Sequence, residues 1–137
     1  MLENILITGA AGFIGFHLAK KCLEEGYHVV CADNLNDYYD VSLKKSRLKT
    51  LTNYPNFTFE EIDISDRKRV PDLFMQYAFK YVVNLAAQAG VRYSLENPLA
   101  YVDSNVLGFT NIIEGCRHNG VEHLVYASTS SVYGISK

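Results

Sequence analysis

The chain is poor in cysteine, carries almost no net charge and has no long apolar run. Each shortage removes a class of function. Its three cysteines, Cys22, Cys31 and Cys116, are odd in number, and each lies inside an apolar pattern. That argues against a disulfide framework or a zinc site and suits a reducing cytoplasm, the location expected here. The histidines, His17, His28, His118 and His123, have no ligand spacing with them, so no metal is expected. A formal net charge of −2 gives no sign of a nucleic-acid or membrane-surface partner. No stretch approaches the ~18 apolar residues of a membrane span. The first residues read as a strand, not as a signal peptide. Repeats, linkers and low-complexity segments are absent. What remains is 137 residues, 48% hydrophobic and 20% charged, the composition of one ordinary globular domain.

What is present begins at the N-terminus. The apolar strand Asn4-Ile5-Leu6-Ile7-Thr8 runs into Gly9-Ala10-Ala11-Gly12-Phe13-Ile14-Gly15. A helix pattern follows, with Gly15, Leu18, Ala19, Cys22 and Leu23 on one stripe. Glu24-Glu25-Gly26 ends it, and a second strand, Tyr27 to Ala32, leads to Asp33. This is the phosphate-binding turn of a dinucleotide-binding βαβ unit, with the spacing GxxGxxG. A pyrophosphate suits free N–H groups at a helix N-terminus, and only glycine lets backbone come that close. Gly9 is expected to make the turn, Gly12 to admit phosphate and Gly15 to let the helix press on the sheet. Asp33 lies where an acid would bind the adenosine ribose hydroxyls. No Arg or Lys follows before Lys44. A 2′-phosphate would therefore meet an anion without a cation, and NAD is expected over NADP.

Further along, strands and helices alternate. A tyrosine-rich loop spans Asn34 to Asp40, and a short helix Val41 to Leu51. Its Lys44, Lys45, Arg47 and Lys49 read most simply as a solvated face. Phe57 to Ile62 is a third strand, ending at Asp63. Val70, Leu73, Phe74, Tyr77 and Ala78 mark a helix that Pro71 forces to begin near Val70. Tyr81 to Leu85 is a fourth strand, apolar enough to be buried on both faces. Asn97-Pro98 opens a long helix with Val102, Asn105, Val106, Phe109, Ile112, Ile113 and Cys116 on one stripe. His123 to Ala127 is the fifth strand. Five strands alternating with helices imply a doubly wound parallel sheet, whose ligand sits beyond the carboxyl ends of the strands.

Taken in order, Thr8 to Gly15, Asp33-Asn34, Asp63-Ile64, Asn84 to Ala87 and Ser128-Thr129-Ser130-Ser131-Val132-Tyr133-Gly134 resemble the extended short-chain dehydrogenase/reductases. That group includes the NAD-dependent epimerases and dehydratases of sugar nucleotides. More narrowly, Asp33 to Asp40 and Gln88 to Ser94 resemble the UDP-glucuronate 4-epimerases, of the kind used in surface-polysaccharide synthesis. The resemblance implies a Rossmann-type fold. Pyrophosphate would be bound by Gly9, Gly12, Phe13, Ile14 and Gly15. Asp33, Asn34 and Asn36 would hold the adenosine ribose, and Asp63 and Ile64 would border adenine. Leu85, Ala86, Ala87, Gln88 and Ser128 would line the cofactor, with Asn105 ordering the site as a polar residue on an apolar stripe. Thr129 would bond the O4 of the sugar, Ser130 would flank it, and Arg92 is a candidate for the substrate's carboxylate or phosphate.

The same resemblance implies conversion of UDP-glucuronate to UDP-galacturonate through a 4-keto sugar, with a Tyr-x-x-x-Lys pair moving the O4 proton. Tyr133 and Lys137 have that spacing but read as a decoy. They follow Thr129 too closely, and Gly134 lies between them. The chain is therefore expected to be the N-terminal, cofactor half of a longer enzyme, its sheet cut after the fifth strand and inactive alone. An apolar edge left on that strand would favour self-association, and the helix from Pro98 offers a homodimer contact. The alternatives are a catalytically dead NAD-binding module and the cofactor half of another dehydratase or reductase.

Overall fold

The computed structural model of the chain describes residues 1–135. Its centre is a wholly parallel sheet of five strands: β1 (Asn4–Thr8), β2 (His28–Asp33), β3 (Phe57–Glu61), β4 (Tyr81–Asn84) and β5 (His123–Tyr126). The strand order is β3-β2-β1-β4-β5, so the winding reverses beside β1, between β2 and β4. Thr8 pairs with Ala32 on one side and Asn84 on the other, and Asn84 pairs with Tyr126. The carboxyl ends of four strands therefore finish level, and their loops share one edge.

The strand pleat divides the core. Ile5 and Ile7 point to one face with Val29 and Cys31, under α1 (Phe13–Glu24) and α2 (Val41–Leu51). Leu6, Val30 and Val82 point to the other, under α3 (Arg69–Tyr77) and α6 (Phe109–His118). Both faces of β1 and β2 are dry, as a doubly covered parallel strand requires. β4 is less so: Val82 and Asn84 are buried, whereas Tyr81 and Val83 are half-buried.

Local chemistry sets the helix ends. Gly26 (φ +90°) closes α1: its N–H bonds Leu23 O at 3.1 Å and that of Tyr27 bonds Cys22 O at 3.1 Å, the paired bonds of a Schellman end. Asp40 Oδ1 caps α2 through the Ser42 N–H at 2.8 Å. Asp66 Oδ1 accepts from the N–H groups of Lys68 and Arg69, so Pro71 falls in the first turn of α3, where its missing donor is not needed. Ala78, expected on the core stripe, instead leaves α3 in the left-handed region at φ +46° and is exposed.

The long helix from Pro98 differs from expectation. After the short helix α4 (Tyr93–Glu96), it comprises α5 (Pro98–Tyr101), a π-helical stretch (Val102–Gly108) and α6. Wider π turns rotate the stripe. Ile112 is buried and Phe109 and Cys116 half-buried, whereas Val102, Val106 and Ile113 are 50%, 61% and 40% exposed. β5 forms an outer strand, with Val125 and Tyr126 both exposed, the apolar edge expected from the sequence.

Candidate functional site

The glycine turn is a cradle that a single methyl would fill. Gly9 sits at φ +69°, and a Cβ there would lie 2.8 Å from Ala86 N. A Cβ on Gly12 would lie 3.1 Å from Gly9 O. One on Gly15 would run into the Gly9 carbonyl and lie 2.7 Å from Ala10 Cα. Gly15 thus lets the start of α1 press on the turn that leaves β1. α1 starts after Gly12 with no side-chain cap, so the first-turn N–H groups are left for an external acceptor. Phe13 and Ile14 beside them are exposed, and the turn opens into a hollow above β1 and β2.

At the end of β2, Asp33 is 7% exposed. Its Oδ2 accepts from Ala11 N at 3.1 Å and its Oδ1 from Leu35 N at 2.8 Å. A carboxylate has about four acceptor positions, so two remain for a ligand. A relay of short side chains follows. Asn34 Oδ1 accepts from Asn36 N, Asn36 Oδ1 from Tyr38 N, and Asn34 Nδ2 donates to Asp63 Oδ2 at 3.1 Å. Burial raises the Asp63 pKa, but the Ser65 hydroxyl and N–H and the Asn34 amide outweigh it and leave the carboxyl below its usual range.

The α2 cations are not a uniformly solvated face. Lys44 is 8% exposed; its Nζ donates to Asn36 O at 2.8 Å and lies 3.8 Å from Asp33 Oδ1. Arg47, half-buried, donates to Ala11 O at 3.0 Å. Only Lys45 and Lys49 face solvent. A cation therefore does stand beside Asp33, contrary to the sequence argument for NAD.

Between the turn and β4 stands Thr8, fully buried. Its hydroxyl donates to Asn84 Oδ1 at 2.6 Å and accepts from Leu85 N and Ala86 N at 3.1 Å each. Asn105 pairs with the backbone of Gln88, accepting from its N–H at 2.8 Å and donating to its carbonyl at 3.1 Å. It is exposed, so the expected burial of this amide does not hold.

Two adjoining hollows collect most of the expected site. Gly9, Gly12, Phe13, Ile14, Gly15, Asp33, Asn34, Asn36, Asp63 and Ile64 line the first, and Leu85, Ala86, Ala87 and Gln88 line both. Asn105, Ser128 and Thr129 line the second. Thr129 Oγ1 accepts from Ser131 N at 3.2 Å, leaving its O–H to donate elsewhere. Arg92 and Ser130 are exposed and line neither hollow; of the Arg92 loop, Gly90 and Val91 do. Lys137 lies outside the described residues. Sequence reasoning missed Thr8, Asn84, Lys44, Arg47 and the hollow-lining Tyr38 and Tyr39. A readable signal existed for two: Thr8 and Asn84 are polar residues closing apolar strands.

A parallel sheet with a glycine cradle at its switch point defines a dinucleotide-binding α/β domain. The sequence profile of the NAD dependent epimerase/dehydratase family matches residues 5–137. The chain belongs to that family. It is 58% identical over 132 residues to an uncharacterised 37.6 kDa protein of Escherichia coli O111:H-, covering 96% of this chain and 39% of that one. It is 50% identical over 128 residues to the UDP-glucuronate 4-epimerase of Thermodesulfobacterium geofontis, covering 93% of this chain and 40% of that one. The crystal structure of UDP-glucuronic acid 4-epimerase from Bacillus cereus with UDP-glucuronic acid and NAD superposes with a TM-score of 0.88 at 34% identity, covering 98% of this chain and 42% of that one. The chain thus spans about 40% of the length of these relatives.

Proposed function

We propose that the chain is the NAD-holding part of a nucleotide-sugar 4-epimerase acting on UDP-glucuronate. The glycine cradle carries this reading. Three positions stand where a Cβ would close the turn, uncapped N–H groups open beside them, and a buried carboxylate follows at the end of β2. The identity to a UDP-glucuronate 4-epimerase supports the sugar.

In this reading Phe13, Ile14 and Gly15 offer N–H groups to the pyrophosphate, and Asp33 accepts from the ribose hydroxyls. Thr8 and Asn105 hold the turns at the ends of β1 and β4. NAD, when bound, supplies reversible acceptance of the C4 hydride of the sugar. Thr129 donates a hydrogen bond from its hydroxyl to the sugar O4, with Ser128 beside it. Arg92 and Ser130 complete the sugar side in this reading.

At about 40% of its relatives' length, the chain is proposed not to epimerise by itself. Leu99, Val102, Val106 and Ile113, exposed apolar side chains along the helix from Pro98, support a homodimer through it. The test is calorimetric titration with NAD+ and NADP+, followed by chromatography of UDP-glucuronate incubated with the chain and NAD+. Saturable binding that prefers NAD+, with no UDP-galacturonate formed, is expected. No dinucleotide binding overturns the cofactor reading, and product formation overturns the proposed inactivity.

A further inference from the structure

Lys44 is 8% exposed, as buried as Leu48 one turn later in α2, yet among the described residues its one hydrogen bond is to Asn36 O. A buried ammonium is stable only when its charge is answered. Asp33 answers it, at 3.8 Å from Oδ1, with side chains 10% and 6% exposed. Both groups line the first hollow. Arg47, one turn later, holds the glycine turn through Ala11 O, so α2 grips the hollow from below at two points. An acid at the end of β2 receives the 2′-hydroxyl of an adenosine ribose. A phosphate on that hydroxyl would arrive beside Asp33, and therefore beside Lys44.

We infer that Lys44 is the specificity-determining partner of Asp33: the pair engages the one nearly buried cation that lines the hollow among the described residues, and replacing the Asp33 carboxylate by a neutral group converts this end of the hollow into a 2′-phosphate site. The inference rests on the NAD reading above and extends it. Rejection of NADP then comes from the engagement of a cation, not from its absence. With Asp33 charged, the pair offers a 2′-phosphate no net attraction. With Asp33 neutral, a dianionic phosphate is the natural counter-ion for Lys44.

The test is calorimetry with NAD+ and NADP+ on the wild-type chain, Asp33→Asn, Lys44→Met and Asp33→Asn/Lys44→Met, read as the ratio of the two dissociation constants. The wild-type ratio favours NAD+. In Asp33→Asn it shifts toward NADP+ by at least about tenfold, the scale of one lost charge contact at 4 Å. In the double variant most of that shift disappears. Lys44→Met, which keeps Asp33, moves the ratio further toward NAD+, because a 2′-phosphate then faces an unanswered carboxylate. Asp33→Asn leaves a buried ammonium alone and can lose its fold. In that case thermal stabilisation by NADP+ above that by NAD+ is the supporting result. An unmoved ratio in Lys44→Met, or an NADP+ gain that survives in the double variant, overturns the inference. No sugar nucleotide enters the measurement, so failure of the UDP-glucuronate reading leaves these ratios unchanged.

Discussion

Replacing Thr8 by valine keeps the shape of the side chain and removes one hydroxyl. That hydroxyl makes three of the bonds that join the end of β1 to the end of β4: to Asn84 Oδ1 at 2.6 Å, and from Leu85 N and Ala86 N at 3.1 Å. Leu85 N keeps a second acceptor, Thr8 O at 3.3 Å. Asn84 Oδ1 and Ala86 N are left without partners. An unanswered buried polar group costs about 1–3 kcal/mol, and half-buried Ala86 recovers part of this from water. The expected loss is about 2–4 kcal/mol. Thr8→Ser keeps the hydroxyl and deletes one buried methyl, at about 1 kcal/mol. In urea unfolding, with a slope near 2 kcal/mol/M for a domain of this size, valine lowers the midpoint by about 1–2 M and serine by about 0.5 M. Equal midpoints for the two variants would show that the hydroxyl is not the tie between the turns, and the account of the cradle would fall with it.

Gly9→Ala combines a left-handed φ, worth about 1–2 kcal/mol, with a Cβ 2.8 Å from the Ala86 nitrogen. Gly26→Ala has the same kind of φ (+90°) and nothing within 4 Å, so its loss in the same urea assay should be clearly smaller; parity would refute the close approach. Native Cys31 should resist a disulfide reagent at pH 8 until the protein unfolds, because burial and the Asp33 charge push its thiol well up. Cys116, pushed up to about 11 by burial, should react slowly; rapid labelling of all three thiols contradicts the core assignment. The Asp63 carboxyl is held below the ordinary 3.8. Its contribution is therefore fully present above that value and is lost as pH falls through the lowered one. The stability difference between wild type and Asp63→Asn should shrink toward zero over that acid window, and a difference that grows instead would reverse the sign.

The sheet was legible because its strands are short, most of them apolar, and separated by helix patterns, and because the Gly9–Gly15 spacing admits few other structures. Strand ends carried the site for the same reason. Pattern reading failed where the backbone changed its own period. The stripe from Val102 to Cys116 assumes 3.6 residues per turn, and the π-helical stretch Val102–Gly108 turns Val102 and Val106 outward. No single residue in that stretch announces the change. The burial inferred for Asn105 rested on the same period and failed with it, although its bonds to Gln88 are those a site-ordering amide should make.

The α2 cations show a different limit. Lys44, Lys45, Arg47 and Lys49 form one charge run, and composition treats them alike. What separates them is a partner distant in sequence. Lys44 reaches Asn36 and Asp33 because the Asx turns at Asn34 and Asn36 fold that loop back over α2, and Arg47 reaches Ala11 because α1 and α2 pack on the same face of the sheet. A charge with an identified acceptor in a hollow is part of the site, and the same charge one residue on is only solubility. Absence of a cation in the residues after Asp33 was therefore the wrong quantity to read. The relevant one is which cation the fold returns to Asp33, and α2 returns Lys44.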